Sequence, residues 1–393
     1  MSDPNSKTSP SSAKQLVLAK ALVAEMKEIG IQNAHVDEYG IVYGWIPSNT
    51  TKKVKSIGFI AHMDTAPDMR GENVCPRIVK QYDGSDILLN EVLHIGMSPK
   101  EFPSLLDHIG HDLIVTDGTT LLGADDKAGI AEIMSMAQEL IQGGEEHGLI
   151  CLAFTPDEEV GHGADHFDIE KFKADYAYTV DGGEVHSVDY ENFNAADANI
   201  LIQGVSIHPG SAKNKMVNAQ LLAMEFNSLL PRFEEPACTE GYEGFHHLHN
   251  IQGCCEQTHM EYIIRNHDEE IFERQKEDFR KATAYMNEKY GEHTMTCTIT
   301  DSYANMRQII EKDITIIENV KEAMLELGLE PKSEAIRGGT DGARLTYDGL
   351  PCPNLGTGGY NFHGKFEYAS IQEMEMSVRL LKKIIALSIQ KEK

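Results

Sequence analysis

Acidic residues and histidines in this sequence are grouped in five short clusters that could bind a metal ion. The central cluster, Asp125-Asp126, lies between glycines, after the apolar pair Leu121-Leu122 and directly before apolar residues with helical spacing. Unpaired backbone N–H groups and the positive end of the helix dipole favour anions at such a junction. A lone Asp-Asp pair there is more often a helix cap with a solvated neighbour. The other four clusters therefore decide between a cap and a metal site.

Each of the other clusters follows a predicted strand. These strands cover residues 57–61, 149–154, 176–180 and 352–355, and the clusters that follow them are His62 with Asp64, Glu158 with Glu159, Asp181, and His363 on a glycine-flanked loop. A metal-binding histidine needs an oriented acceptor beside it, although a plain hydrogen bond to Asp64 explains His62 equally well when taken alone. Ligands bind beyond the carboxyl ends of parallel strands, so we expect these side chains to meet there.

The chemistry of the five clusters favours hydrolysis by metal-activated water. Two histidines and several carboxylates suit zinc or a similar divalent ion. Two ions that share five ligands need one bridging carboxylate, and Asp125 is the natural candidate. Of the adjacent acids Glu158 and Glu159, one would bind metal and the other would carry a proton from water to the leaving amine. No serine-nucleophile motif, P-loop or dinucleotide-binding glycine motif accompanies them.

The order of predicted elements favours an α/β fold with a mixed, largely parallel sheet that helices cover on both faces. Between about residues 198 and 301 the pattern changes to strand, helix, strand, strand, helix, strand, which is typical of a ferredoxin-like α+β domain. The alternating pattern then resumes. We therefore predict a discontinuous catalytic domain at residues 1–195 and 303–393, with a smaller domain inserted at residues 196–302.

Length, charge and cysteine usage limit the class of protein. The 393 residues exceed the usual size of a single core, and the net charge of −27 would repel nucleic acid and anionic membranes. No apolar run is long enough to span a bilayer. The seven cysteines are odd in number and include no C-x-x-C pair, which indicates reduced thiols. We predict a cytoplasmic, bacterial protein without nucleic-acid or membrane partners.

Taken together, five segments resemble the tripeptide aminopeptidases of the di-zinc exopeptidase family that also contains glutamate carboxypeptidase. They are residues 61–65, 122–129, 154–161, 178–183 and 360–364, and the resemblance extends from about Lys14 to the end of the chain. It implies two Zn²⁺ ions per subunit, which would be held by His62 and Asp181, by Glu159 and His363, and by Asp125 as the bridge. It also implies that Asp64 orients His62, that Glu158 is the general base, and that the Asp125–Asp126 peptide bond is cis.

Three further residues match the substrate-contacting positions of that family. The resemblance implies that His208 stabilises the oxyanion, and that Arg265 and Arg337 bind the carboxylate or carbonyl groups of the substrate. Without the resemblance, His208 would be a turn histidine before Pro209, and each arginine would form a surface ion pair. The inserted domain would close over the substrate as a lid and could also form a homodimer.

The predicted function is therefore a di-zinc aminopeptidase that releases the N-terminal residue from tripeptides. One alternative is a related di-metal hydrolase of dipeptides or N-acylated amino acids. Another is a non-catalytic peptide-binding protein, which would normally have lost a ligand or Glu158. The family has roughly one more helical segment before the helix predicted at residues 13–30, and we expect this difference to affect stability before chemistry.

Overall fold

The computed structural model describes residues 1–391 and divides into two compact units. The first unit comprises Met1–Tyr190, Gln308–Glu334 and the residues from Thr340 onward, and the second comprises Glu191–Arg307 with Ala335–Gly339. The second unit thus begins at residue 191 rather than at the predicted 196 and runs to residue 307 rather than 302. It also takes in a short segment, Ala335–Gly339, that the sequence pattern assigns to the larger domain.

The secondary structure is mixed throughout. In chain order the strands are β1 (His35–Val36), β2 (Val42–Ile46), β3 (Ile57–His62), β4 (Arg77–Val79), β5 (Ile87–Asn90), β6 (Ile95–Met97), β7 (Leu113–Val115), β8 (Ile150–Thr155), β9 (Tyr176–Gly182), β10 (Val188–Asp189), β11 (Asn194–Gln203), β12 (Phe245–Gly253), β13 (Gln257–Asn266), β14 (Met295–Tyr303), β15 (Asn354–Gly356), β16 (Gly359–Tyr360) and β17 (Tyr368–Ser370). The helices are α1 (Ala13–Glu28), α2 (Ala124–Gly143), α3 (Ile169–Phe172), α4 (Ala219–Leu229), α5 (Glu269–Tyr290), α6 (Arg307–Ile310), α7 (Thr315–Glu326), α8 (Asp341–Tyr347) and α9 (Ile371–Lys391).

The main sheet of the first unit has seven strands in the order β1-β2-β8-β3-β9-β15-β10. The four central strands β8, β3, β9 and β15 pair in parallel, whereas the outer strands pair antiparallel. Every residue of β3 and β8 is buried, as expected for apolar runs in the middle of a sheet covered by helices. The predicted mixed, largely parallel α/β fold is confirmed.

Helix α2 lies close against the centre of this sheet. It packs on β3, β9 and α9. A Cβ atom at Gly129 would lie 1.9 Å from the carbonyl oxygen of Val180, so only glycine permits this approach of α2 to β9. The close contact brings the start of α2, which carries the paired aspartates, to the carboxyl ends of the central strands.

Two smaller sheets of the first unit lie outside the main sheet. One runs β16-β17-β7-β4 and the other pairs β5 with β6, and both are antiparallel. Residues 66–112, which look like an irregular excursion in the sequence, contain the three short strands β4, β5 and β6. Each spans only three or four residues, too few for a clear periodicity.

The second unit is a four-stranded antiparallel sheet in the order β12-β13-β11-β14. With α4 between β11 and β12 and α5 between β13 and β14, this is the ferredoxin-like order that the sequence pattern predicts. Residues of β13 alternate between buried and more exposed positions, and the buried side packs with α4 and α5 into one apolar core.

Two further properties bear on the class of protein. Within residues 1–391, no helix is both long and apolar enough to cross a bilayer. All seven cysteines lie in the described part of the chain, and each of them is free.

Candidate metal centre

Three neighbouring parallel strands bring most of the candidate ligands to one edge of the main sheet. His62 is the last residue of β3, and Asp181 lies near the end of β9 on one side of it. On the other side, β8 ends at Thr155, and Glu158 and Glu159 form a single 3₁₀ turn shortly afterwards. The carboxyl ends of these adjacent strands carry the candidate side chains as expected, although His62 and Asp181 are still within their strands and only the two glutamates follow one.

Asp125 lies between the two candidate histidines. Its Oδ1 atom is 2.7 Å from Nε2 of His62, and its Oδ2 atom is 3.2 Å from Nε2 of His363. Nε2 of His62 is also 3.4 Å from Oδ1 of Asp181, and Nε2 of His363 is 2.9 Å from Oε2 of Glu159. Each oxygen of Asp125 therefore faces a different histidine, and each histidine has a second carboxylate of its own.

The donor set suits divalent cations. Ligand atoms of His62, Asp125 and Glu159 all lie within 4.8 Å of one another. Among the described residues, the buried Oε1 atom of Glu159 has no hydrogen-bond partner. A carboxylate oxygen left unpaired in a buried site is costly unless something binds it. Imidazole nitrogens and carboxylate oxygens are the ligands that zinc and similar ions take, so the residues fit such a group.

Asp126 forms a similar group with His62 and Asp181, but its carboxylate is already bonded to backbone. Oδ2 of Asp126 accepts from the backbone N–H of His62 at 3.0 Å, and Oδ1 accepts from the N–H of Gly129 at 3.1 Å. The side chain is fully buried. These contacts favour Asp125 rather than Asp126 as the metal ligand, and they give Asp126 the task of tying α2 to β3.

The junction between the two aspartates is not regular helix. Asp125 has φ −81° and ψ 103°, and Asp126 has φ −122° and ψ 41°, so helical geometry in α2 begins after them. The peptide bond that joins them is cis, as the resemblance implies.

Asp64 connects His62 with the turn that carries the two glutamates. Its Oδ1 atom lies 3.3 Å from Nδ1 of His62, a separation that suits charge attraction although the two atoms are not aligned as a hydrogen bond. The two oxygens of Asp64 accept from the backbone N–H groups of Glu158 and Glu159 at 3.1 and 3.2 Å. Burial opposes its ionisation, but the nearby His62 together with hydrogen bonds from the Ser2 hydroxyl and the backbone N–H of Glu159 outweighs burial and lowers the pKa of Asp64 to about 2.

Glu158 lies in a setting that favours its protonated form. Burial raises the pKa of Glu158 well above its usual range, the charge of His62 opposes this shift, and the negative charges of Asp181 and Asp341 add to it. Such a carboxyl can take up and return a proton closer to neutral pH than an exposed glutamate can.

The other ligand candidates are tuned in opposite directions. Burial is the main cause that raises the pKa of Asp181 to about 7. Hydrogen bonds to Asp125 and Glu159 raise the pKa of His363 to about 10. For Asp125, burial acts against ionisation, yet hydrogen bonds to His363 and His62 lower its pKa far below its usual value. The surroundings therefore favour the ionised form of Asp125 and the protonated forms of Asp181 and His363.

Sequence reasoning missed several buried acids that hold the loops of the site. Asp157, directly before Glu158, accepts from Nε2 of Gln15 at 2.6 Å, and the backbone N–H of Asp157 donates to Oε1 of Gln15 at 3.0 Å. Glu367 accepts three backbone N–H bonds from the segment before and at Asp125. No motif contains Glu367, because a carboxylate that bonds to backbone can serve a loop of almost any sequence, and the motif that contains Asp157 does not indicate its distant partner Gln15.

His208 and Arg265 belong to the second unit. His208 is exposed in a turn, and its Nδ1 atom accepts from the N–H of Gly210 at 3.2 Å. Nη1 of Arg265 donates to the carbonyl oxygens of Ala196 and Ile264 at 3.1 and 2.9 Å. The guanidinium group of Arg265 also lies over the ring of Tyr303, with 5.4 Å between its central carbon and the ring centroid. This arrangement holds the arginine through contacts other than the surface ion pair considered for it.

Arg337 is bound more tightly within the second unit. Its Nη1 atom donates to the carbonyl oxygens of Gly241 and Glu243 at 2.6 and 2.8 Å, and Nη2 donates to Oγ1 of Thr239 at 3.1 Å. The guanidinium carbon lies 5.1 Å from the ring centroid of Phe193. Several of its donors are thus occupied by the protein itself, which is a structural role that the sequence pattern did not indicate.

Comparison with known proteins adds an independent line of observation. A model of the family described as Peptidase family M20/M25/M40 matches residues 116–387. A protein named Peptidase T from Caldanaerobacter subterraneus subsp. tengcongensis is 53% identical over 387 residues, which cover 98% of this chain and 95% of the relative. Peptidase T from Bacillus subtilis is 52% identical over 384 residues, with coverage of 98% and 94%.

Solved structures share the fold. Aminopeptidase PepT from Bacillus cereus ATCC 10987 superimposes with a TM-score of 0.78 at 24% identity and covers 98% of this chain and 95% of its own. The YXEP protein of Bacillus subtilis, described as a dinuclear metal binding peptidase from the M20 family, gives a TM-score of 0.66 at 15% identity, with coverage of 98% and 94%.

Proposed function

The chain belongs to peptidase family M20/M25/M40 and within it to the peptidase T group, and from this premise we propose that it is a di-metal aminopeptidase that releases the N-terminal residue from tripeptides. Tripeptide cleavage comes from the resemblance to that group. Two Zn²⁺ ions per subunit are the cofactors that the donor set supports best. The net charge of −27 and the free cysteines support a cytoplasmic location, and a homodimer through the second unit remains part of the proposal.

One observation carries the proposal above all others. The two oxygens of Asp125 face two different histidines, and the Nε2 atom of each histidine has one further carboxylate within 3.4 Å. A single ion would not require this divided arrangement, whereas two ions that share a carboxylate do. In this assignment His62 and Asp181 would hold one ion, Glu159 and His363 would hold the other, and Asp125 would serve both.

The ions would supply Lewis-acid polarisation of the scissile carbonyl and a water of lowered pKa. The side chains of the protein perform the remaining tasks. Asp64 fixes the ring of His62 through the contact to Nδ1, which leaves Nε2 directed at Asp125. Asp64 also fixes the turn at Glu158 and Glu159 through their backbone N–H groups.

Glu158 is the proposed general base. It would accept a proton from the attacking water and return it to the nitrogen of the leaving amine, for which its raised pKa is suited. Glu159 is assigned to the metal because its carboxylate lies beside His363 and has one unpartnered buried oxygen.

The second unit is proposed to contribute the substrate contacts. His208, which is exposed, would donate a hydrogen bond to the oxyanion of the tetrahedral intermediate. Arg265 would bind the terminal carboxylate or a carbonyl group of the substrate, and Arg337 is the second candidate for this contact although several of its donors bond to the second unit itself. Closure of this unit over the bound peptide would exclude water during the reaction.

A substrate panel tests the proposal. Release of free amino acids is measured from dipeptides, tripeptides, tetrapeptides and N-acylated amino acids, before and after chelation and after zinc is restored. We expect tripeptides to be preferred, chelation to abolish release, and zinc to restore it. Preference for dipeptides or N-acylated amino acids would support the related hydrolase instead. Binding of tripeptides without any release would support a peptide-binding protein.

A further inference from the structure

The buried carboxylate of Glu367 accepts hydrogen bonds from the main chain directly before and at Asp125. Its Oε2 atom accepts the backbone N–H bonds of Leu122 and Gly123, each at 2.7 Å, and its Oε1 atom accepts the N–H of Asp125 at 3.0 Å. The residue is 1% exposed. Both oxygens are thus used on one short stretch of main chain, and hydrogen bonds to a charged acceptor are stronger than neutral ones.

The local backbone is shaped for this contact. Gly123 has φ +81° and ψ 29°, in the left-handed region that glycine adopts without a steric penalty. A turn of this kind can direct several N–H groups toward one anion. Glutamate supplies two acceptor oxygens, whereas glutamine would supply one oxygen and turn an NH₂ group toward N–H donors.

Residues 363–367 contact Asp125 in two ways. His363 lies four positions before Glu367, and its Nε2 atom is 3.2 Å from the side chain of Asp125. Glu367 bonds to the main chain of the same aspartate. A shift of that main chain would move the Asp125 carboxylate relative to both His62 and His363, which are only 2.7 and 3.2 Å away.

We propose that Glu367 is a positioning residue that fixes Asp125 at the point where it can serve two metal ions at once. The inference rests on the proposed function, because it concerns the bridging ligand of that site. It differs from a purely structural role in its consequence: loss of the carboxylate should weaken metal binding by a chain that is still folded.

The test compares Glu367→Gln with Glu132→Gln. Glu132 is a matched control, since it is also 1% exposed and its carboxylate accepts from Oγ of Ser377 rather than from the Asp125 segment. Zn²⁺ affinity is measured by competition with a chromophoric chelator at a temperature where circular dichroism shows every variant to be folded. The thermal midpoint of each metal-free variant is recorded separately.

We expect Glu367→Gln to weaken zinc affinity about 10–100-fold, the usual effect of losing a residue that orients a metal ligand, while Glu132→Gln binds like the wild type. If Glu367→Gln does not fold, Glu367→Asp is used, because it keeps the charge but is one methylene too short to reach all three N–H groups.

Wild-type zinc affinity in a Glu367 variant whose thermal midpoint alone has fallen would overturn the inference and leave the proposed function standing. Equal weakening in both variants would also overturn it, because the effect would then follow from the loss of any buried carboxylate. A wild-type chain that binds no zinc would overturn the proposed function together with the inference.

Discussion

The two units of the protein hold their candidate functional side chains in different ways. In the first unit the carboxylates and imidazoles point at one another within 2.7–3.4 Å and are kept there by backbone N–H groups. In the second unit His208 is exposed in a turn, and Arg337 donates to backbone carbonyl oxygens. The first arrangement is a set of ionisable groups that face one another, whereas the second has one exposed side chain and one whose donors bond to the backbone of its own unit.

From this difference we expect metal binding to depend on the first unit and substrate recognition to depend on the second. Like charges at short range, such as the acids around His62, are tolerated only because the surrounding structure holds them and a cation can compensate them. An exposed histidine and arginines tied to their own unit need no such compensation. Variants in the first unit should therefore affect metal binding and turnover, and variants in the second should affect turnover, substrate affinity or folding with the metal retained.

We expect the largest effect on kcat from substitution of Glu158 and a different effect, on metal binding, from substitution of its neighbour Glu159. Glu158→Gln should lower kcat by about 10²–10⁴-fold, the usual contribution of a general base, with both ions retained. Glu159→Gln should weaken one ion site, and excess metal should partly rescue it. Measuring both the metal stoichiometry and kcat of each variant distinguishes the general base from the metal ligand. Loss of metal in Glu158→Gln with full occupancy in Glu159→Gln would mean that the two roles are reversed.

His208→Ala tests whether the second unit takes part in the chemical step. We expect kcat to fall by about 10²–10³-fold with metal content unchanged, as for removal of an oxyanion donor. His249→Ala, at another exposed histidine of the same unit, is the control and should behave like the wild type. An unchanged kcat in His208→Ala would mean that His208 takes no part in the chemical step and is only a turn histidine.

The two arginines should differ although both belong to the second unit. Arg265→Ala should raise KM for tripeptides with a free carboxylate by about 10–100-fold, which corresponds to losing roughly 1.5–3 kcal/mol from a hydrogen bond to a charged group. Peptides amidated at the C-terminus should be poor substrates of the wild type and should not respond to the substitution.

Arg337→Ala should instead lower the free energy of unfolding by about 1–3 kcal/mol, because the carbonyl oxygens of Gly241 and Glu243 lose their donor. The free energy of unfolding from urea denaturation and the KM from peptide kinetics are measured for both Arg265→Ala and Arg337→Ala. An Arg337 variant of normal stability but high KM would assign the substrate contact to Arg337.

The smallest effect concerns pH and the metal-free first unit. The pKa of His363 is raised from 6.5 to about 10, so the folded chain keeps a proton that the unfolded chain has released. The resulting stability is complete below pH 6.5 and is lost as pH rises toward 10. The pKa of Asp181, raised from 3.8 to about 7, acts in the same direction at lower pH.

The thermal midpoint of the metal-free protein should therefore fall as pH rises from about 6.5 to 10. The metal-loaded protein should not follow this trend, because bound ions need deprotonated ligands. A midpoint of the metal-free protein that stays level or rises over this range would contradict the proton assignment at His363.

Much of the first unit could be predicted from the sequence for a physical reason. Parallel strands are continuous apolar runs with turn residues at their ends, so the positions of His62, Glu158 and Asp181 could be read directly from the pattern. The resemblance to the exopeptidase family, drawn from five motifs, is confirmed by the family model and by relatives at 52–53% identity.

Contacts made through the backbone could not be predicted. Glu367 and Asp126 accept from backbone N–H groups, which every residue type except proline provides, and Arg337 donates to backbone carbonyl oxygens, which every residue type provides. The short strands between residues 66 and 112 escaped detection because they are too brief to show a period. Which loop a buried carboxylate or guanidinium group contacts depends on the tertiary structure, and no local sequence motif indicates it.

The most direct test of the account is the metal content of Asp125→Asn beside that of Asp126→Asn. The two residues are adjacent and chemically identical, but only Asp125 faces both histidines, whereas Asp126 bonds to backbone N–H groups. Equilibrium dialysis against zinc should give two ions per chain for the wild type and for Asp126→Asn, and loss of tight binding at both sites for Asp125→Asn. Two tightly bound ions in Asp125→Asn, with a site emptied in Asp126→Asn, would contradict the shared-ligand centre.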